Sequence, residues 1–287
     1  MIIKYRKKLM INERVNKRIL AIHFSKSASN YDKHALLQKE IAFQLVEWAD
    51  LERISRQADA RVLEIGCGTG FLTGFLAEKL NPEAYLAIDL ARGMLETARA
   101  KPESRFSRVR FIQADGEALP FAAGVFDLAA SSTTFQWFNT IGESLAGIHR
   151  ALRPGGKLIF TTLGRDTYRE LKEAYRTSAG QMGIKLTPSR YGLLLPGAVE
   201  LADFLVSAGF EKPVIKRQIK YEFFPSAREY MQSVKNRGFN NPSYRPMNLA
   251  VERTFLRKTI DFYDRRFRVD GRVYASYEVF FVQSRLL

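Results

Sequence analysis

The sequence is poor in metal-binding and nucleophilic side chains. Cys67 is the single cysteine in 287 residues, so an internal disulfide and any multi-cysteine metal site are excluded. The three histidines, His23, His34 and His149, lie far apart in the chain, and no metal centre is expected from them. No apolar run approaches the ~20 residues a membrane helix needs. The first twenty residues mix Lys4, Arg6, Lys7, Lys8, Arg14, Lys17 and Arg18 with scattered apolar positions. They lack the continuous apolar segment and small-residue cleavage site of a secretory signal, so the expected compartment is the reducing cytoplasm. Acids are scarce as well: 30 Asp and Glu stand against 45 Lys and Arg, a net charge of +15. Such an excess implies an anionic partner. The basic residues are dispersed and not interleaved with aromatics, which argues against a nucleic-acid reader.

What is present is a chain with 46% hydrophobic and 26% charged residues, long enough to bury a substantial core. Residues 1–22 read as a basic N-terminal extension and 23–287 as a single domain. A helical pattern runs from 35 to 51, with Leu37, Ile41, Leu45, Trp48 and Leu51 on one face. Tyr31 and Asp32 fall in a polar lead-in before it. From residue 61 short apolar runs alternate with helical periodicity. Strands are expected at 61–66, 85–89, 109–112, 125–131 and 157–162, the last entered through a turn at 153–156. Helices are expected at 71–80, 93–100, 141–152, 166–180 and 198–209, on both faces of a parallel sheet. Two further strands, at 214–223 and 274–283, enclose helices at 225–237 and 249–266 and a loop at 238–247. That insertion predicts a cap over the ligand edge, built from 23–55, 181–197 and 225–270.

The chemistry concentrates at the carboxyl ends of the strands, where open parallel sheets bind ligands. Gly66, Gly68 and Gly70 follow the first strand, Asp89 ends the second, Asp115-Gly116 follows the third and Ser131-Ser132 the fourth. Glycine spacing there departs from the dinucleotide fingerprint, since residue 71 is Phe, and no Gly-Lys-Ser/Thr makes a phosphate loop. An acid at the end of strand two is placed to accept the two hydroxyls of a ribose.

The segment from Glu64 to Gly70, with Asp89, Asp115 and the run 153–156, resembles the class I S-adenosylmethionine-dependent methyltransferases. The segments 24–32, Leu37-Gln38, 131–137, 160–171 and 277–281 resemble, more narrowly, the malonyl-acyl-carrier-protein O-methyltransferases of biotin synthesis. The similarity covers roughly residues 23–285. It departs from the pattern before residue 23 and at Ser132, where many relatives carry Asn. The resemblance implies a Rossmann-like α/β fold with a seven-stranded, mostly parallel sheet, helices on both faces and a helical cap. It also implies S-adenosyl-L-methionine as cofactor, with Glu64 and the three glycines at its methionine part, Asp89 on the ribose, and Asp115-Gly116 at the adenine. Leu90 and Met94 would pack on the adenine, Tyr31 and Gln38 would close over the amino-acid end, and Ser131 would border the site. Tyr31, Gln136 and Trp137 are the candidates for a catalytic part, with Gln136 and Trp137 placed to form the substrate wall. The implied partner is acidic malonyl-acyl-carrier protein, for which Arg165, Arg169, Lys172 and Arg176, at helical spacing, are candidate contacts, as are the basic residues of 257–268. Another small carboxylic acid such as aconitate is the alternative substrate. A related group that hydroxylates an arginine of a partner and assists respiratory-complex assembly is the alternative family.

Overall fold

The computed structural model describes residues 14–101, 106, 108–186, 195–236 and 248–286. The loop expected at 238–247, part of the cap segment 181–197 and most of the basic extension lie outside the described residues.

Among the described residues the first elements are the helices α1 (Lys17–His34) and α2 (Leu36–Trp48), followed by the short α3 (Glu52–Ser55). The alternating core then runs β1 (Arg61–Ile65), α4 (Phe71–Leu80), β2 (Ala84–Asp89), α5 (Arg92–Arg99), β3 (Val109–Gln113) and β4 (Phe126–Ser132). A 3₁₀ turn at Phe135–Trp137 precedes α6 (Ile141–Ala151) and β5 (Leu152–Leu163). The second half holds α7 (Arg169–Met182), α8 (Ala198–Ser207), β6 (Val214–Phe224), α9 (Ala227–Asn236), α10 (Leu249–Arg266), β7 (Arg268–Val269) and β8 (Arg272–Arg285).

Seven strands lie in the order β3-β2-β1-β4-β5-β8-β6, with the two-residue β7 paired to β8. The first five are mutually parallel, and β8 runs antiparallel to both β5 and β6. This is the Rossmann-like class I methyltransferase fold. Strand order reverses between β1 and β4, which puts the ligand crevice at their carboxyl ends.

Alternation along the strands feeds two cores. Val62, Leu128, Ala130 and Ile159 face one side, against Ile41 and Leu45 of α2 and against Leu72 and Leu76 of α4. Leu63, Ile65, Ala129, Leu158 and Phe160 face the other, against Leu145 and Ile148 of α6 and Leu201 and Leu205 of α8. Strands buried on both faces read as continuous apolar runs, which is why their positions are visible in the sequence.

Three boundaries differ from expectation. First, the break expected after residue 22 falls inside α1, whose buried face runs through Leu20, Ala28 and Tyr31. Tyr31 is therefore a buried helical residue and not part of a polar lead-in. Second, β5 begins at Leu152, directly after α6. The run 153–156 bulges out of the strand, as the shift in β4–β5 register from Phe126↔Leu152 to Leu128↔Lys157 shows, with Gly155 at φ +72°. Third, the helix expected from 166 starts at Arg169, so Arg165 stands outside the helical spacing assigned to it.

Residues 272–278 of β8 run past the end of β5, whose last residue, Leu163, pairs with Val279. On that overhang the two helices inserted between β6 and β8 pack through Tyr230 and Tyr263, and α9 reaches across to α1. These two helices thus pack at the carboxyl edge of the sheet.

Candidate active site

A cleft opens at that edge, bounded by α1 on one side and by the loops after β1, β2, β3 and β4 on the other.

The three glycines of the first loop serve different ends. Gly66 lines the cleft, and a Cβ there would lie 2.2 Å from the Thr134 hydroxyl, so the glycine makes room for that side chain. At Gly68, by contrast, the Cβ would point into open space, with φ at +55°; this is where a ligand can approach the backbone. Gly70 is the N-cap of α4, with φ +91°. The loop is tied to β2 by the Gly66 and Cys67 amides, which donate to the Ile88 carbonyl at 2.8 and 3.0 Å.

Asp89 lines the cleft at the end of β2. Its carboxylate accepts Gly68 N–H at 2.8 Å and Ala91 N–H at 2.7 Å. Burial pushes its pKa up, and the backbone donors at Ala91 and Gly68 oppose that shift. Leu90 and Met94 line the same wall. Beneath the loop, Glu64 is fully buried and does not reach the cleft. Its Oε2 accepts the hydroxyls of Thr73 and Tyr85, each at 2.7 Å, while Oε1 has no hydrogen-bond partner among the described residues. Burial raises the Glu64 carboxyl to about 7. Cys67 is buried, and desolvation, reinforced by Asp89 and Glu64, pushes its thiol well above the ordinary range. At neutral pH it is a small inert side chain in a tight turn.

Asp115 and Gly116 line the cleft after β3. Asp115 Oδ1 accepts Glu117 N–H at 2.9 Å and the Lys17 ammonium at 2.5 Å. A Cβ on Gly116 would lie 2.5 Å from the Ile65 side chain, so this glycine lets the loop close on β1.

After β4 the chain turns sharply. Thr133 takes a left-handed φ of +50°, a costly conformation for a β-branched residue. It is held there by its N–H to the Thr161 carbonyl at 3.0 Å and by its own carbonyl, which accepts Gln136 Nε2 at 2.5 Å. That turn lays Thr134 on Gly66 and brings Trp137 into the cleft wall, where its ring meets Phe24 of α1 edge-on at 5.6 Å. Gln136 is buried behind the turn and is not part of the wall. Ser131 is also buried, donating to the Ile65 carbonyl at 2.7 Å between neighbouring strands. Gln38 is buried on α2 outside the cleft lining, with its side-chain oxygen unpartnered among the described residues.

Tyr31 does line the cleft, from α1. That helix, half-assigned to a basic extension on sequence grounds, is fastened at three levels. Val15 N–H donates to Asn139 Oδ1 at 2.7 Å before its first turn, Gly93 N–H donates to Ser25 Oγ at 3.2 Å in its middle, and Thr69 donates to Asp32 at 2.5 Å near its end. Its Lys17, Leu20, Ala21, Phe24 and Tyr31 all face the cleft. Their spacing of three, four and seven residues was visible in the sequence; the lysine at one end and the serines between disguised it as a solvated stretch. Arg165, Arg169 and Lys172 do not line the cleft. Arg165 pairs with Glu200, Arg169 with Glu170 at 3.0 Å, and Lys172 donates to the Arg165 carbonyl at 2.9 Å.

Comparison with known proteins agrees with this geometry. The family profile described as "Methyltransferase domain" matches residues 63–160. The malonyl-[acyl-carrier protein] O-methyltransferase of Acetivibrio thermocellus is 35% identical over 280 residues, covering 94% of each chain. The protein of that name from Brevibacillus brevis is 32% identical, over 94% of this chain and 96% of the relative. Among solved structures, YcgJ of Bacillus subtilis superposes with a TM-score of 0.57 at 15% identity, over 85% of this chain and 97% of that one. A Bacillus halodurans protein gives 0.56 at 18% identity, over 84% and 97%. Those two likenesses carry the fold. A backbone face bare of Cβ atoms at Gly68, a carboxylate at the end of β2, and a second one after β3 fit S-adenosyl-L-methionine, which is the cofactor of this fold's methyltransferases and of this protein. The chain is a class I S-adenosylmethionine-dependent methyltransferase and belongs to the family of the malonyl-[acyl-carrier protein] O-methyltransferases.

Proposed function

We propose that the protein methylates the free carboxylate of malonyl-acyl-carrier protein, forming the methyl ester that masks this charge early in biotin synthesis. The observation that carries this reading is the 35% identity to the Acetivibrio thermocellus enzyme across 94% of both chains. Bound S-adenosylmethionine supplies an electrophilic methyl on a sulfonium: a carboxylate oxygen takes the methyl, the carbon–sulfur bond breaks, and its electron pair stays on sulfur. No proton moves, because a malonyl carboxylate is already ionised at neutral pH.

The protein's task is then to align the two reactants and keep water out, and such positioning accounts for much of the rate in transfers of this kind. In this reading Asp89 holds the ribose hydroxyls, the open face of Gly68 admits the amino-acid part, and Leu90 and Met94 pack on the adenine. Phe24, Tyr31 and Trp137 form the apolar wall that excludes water. Such a transfer needs no general acid or base and no nucleophilic thiol, in keeping with the inert Cys67. Glu64, Gly70, Ser131 and Gln136 act from behind, by holding the glycine loop and the Thr133 turn.

The test is direct: purified protein with methyl-labelled S-adenosylmethionine is offered malonyl-carrier protein, malonyl-coenzyme A and aconitate in parallel. Label on the malonyl thioesters is expected. Label on aconitate alone would sink the reading.

A further inference from the structure

We infer that Lys17 is a positioning residue of the cofactor site, fixing the carboxylate of Asp115 for recognition of the adenine 6-amino group. The inference rests on S-adenosylmethionine as cofactor and is independent of the acyl substrate.

Lys17 opens α1 and lines the cleft. Its ammonium bridges two carboxylates, Asp115 Oδ1 at 2.5 Å and Glu117 Oε2. It also stands over the Phe138 ring, 5.5 Å from the centroid. Each partner is itself fixed. Asp115 Oδ1 takes the Glu117 N–H at 2.9 Å, and Glu117 Oε1 takes both the N–H and the hydroxyl of Thr140, at 2.6 and 3.0 Å. The backbone just before Lys17 is clipped to the next residue along that loop: Asn139 accepts Val15 N–H at 2.7 Å and donates to the Val15 carbonyl at 3.2 Å. One lysine therefore ties the start of α1 to the loops after β3 and β4, with most of its side chain out of solvent: 21% is exposed.

The consequence is a division of labour between the two oxygens of Asp115. Oδ1 is saturated by Lys17 and the Glu117 amide. Oδ2 has no hydrogen bond among the described residues, so this cleft-lining carboxylate, held through Oδ1, keeps one acceptor for a ligand. An amino group on the bound purine satisfies that acceptor; a 6-oxo group sets oxygen against oxygen. Without the ammonium, two carboxylates close together lose their shared counter-charge and Asp115 is free to turn. A surface lysine that merely solubilised the helix would affect none of this.

The test measures equilibrium binding of S-adenosylhomocysteine and of its inosyl analogue, in which oxygen replaces the 6-amino group. Lys17→Met, which keeps the stem and removes the charge, is expected to weaken the adenosyl ligand about tenfold, the scale of a charge-assisted hydrogen bond. It is expected to weaken the inosyl ligand much less, so that the preference between the two collapses. Lys17→Arg should restore most of the preference. Should Lys17→Met fail to fold, Lys17→Gln is read in the same way, and Glu117→Gln, which leaves Asp115 and Lys17 in place, should retain the preference in part. Unchanged affinities, or an equal loss for both ligands, would overturn the assignment, the second by reducing Lys17 to a latch for α1. Because methyl transfer is not the readout, failure of the malonyl reading leaves this outcome intact.

Discussion

The carboxylate of Asp89 accepts the amide N–H of Gly68 at 2.8 Å, so the acid at the end of β2 and the exposed glycine of the first loop form one hydrogen-bonded unit. Its other oxygen holds Ala91 N–H at 2.7 Å, at the cap of α5. The residue proposed to grip the ribose thus also sets the shape of the loop beside it.

Substitution of Asp89 tests both roles. Asp89→Asn keeps one carbonyl oxygen for two backbone donors, and Asp89→Ala keeps none. Stability should fall by about 1–3 kcal/mol for Asn, the cost of an unsatisfied buried donor, and further for Ala. Affinity for S-adenosylhomocysteine should drop at least about tenfold in both, since a lost charge-assisted hydrogen bond is worth that much. Thermal melts and calorimetric titration separate the effects; an unchanged affinity would show that the ribose lies elsewhere.

Gly66 and Gly68 should respond differently to alanine. At Gly68 nothing lies within 4 Å of the added methyl, so the fold bears only the left-handed penalty of about 1–2 kcal/mol while the ligand face is blocked. At Gly66 the methyl collides with Thr134 at 2.2 Å on top of a φ of +71°. Gly68→Ala is therefore expected to lose cofactor affinity with a modest drop in melting temperature, and Gly66→Ala to lose mainly stability. A reversed pattern would show that the loop's approach to the ligand is at Gly66.

That contrast marks how far the sequence could be read. β1, β4, β5 and β8 were legible because they are apolar runs largely buried on both faces, and Gly66, Asp89 and Asp115 lie at strand ends by the logic of the fold. That Gly66 meets Thr134 while Gly68 faces open space depends on the turn at Thr133, and a left-handed threonine leaves no mark in composition or periodicity. Ser131 and Gln136, adjacent to cleft residues in the chain, are turned away by strand alternation and by the bond to Thr133. Lys17 was grouped with the dispersed basic residues because its two acidic partners lie about a hundred positions away in the sequence.

Glu64 should make the protein less stable as pH rises. Its carboxyl sits at about 7 in the folded chain against an ordinary 4.5, chiefly through burial. The folded state then holds a proton that the unfolded state has released between those values. Stability is highest below pH 4.5 as far as this group is concerned, declines through that window, and stays reduced above 7. Glu64→Gln, which can still accept from Thr73 and Tyr85, removes the penalty. Its melting temperature relative to the parent should rise from about pH 5 to about pH 8, by an amount on the order of 1–3 kcal/mol in stability. A parallel shift at both pH values would mean that Glu64 is ionised throughout.

The carrier protein gives the last prediction. Of the basic residues first assigned to it, Arg169 is bound to Glu170, a buried carboxylate that also accepts Ser276 N–H at 3.0 Å. Reversing Arg169 sets a second negative charge against that group, so its main effect should be on stability. Arg165 is a different case. Its side chain is 51% exposed, and its pair with Glu200 is a surface one, worth little to the fold. If an acidic carrier docks on this side, Arg165→Glu should raise the Michaelis constant for malonyl-carrier protein several-fold and leave that for malonyl-coenzyme A nearly unchanged. Screening should shrink the difference at about 0.5 M salt, where charges interact over only a few ångströms. Equal changes for the two thioesters would place the docking face elsewhere on the protein, and the search would move to the basic residues of α10.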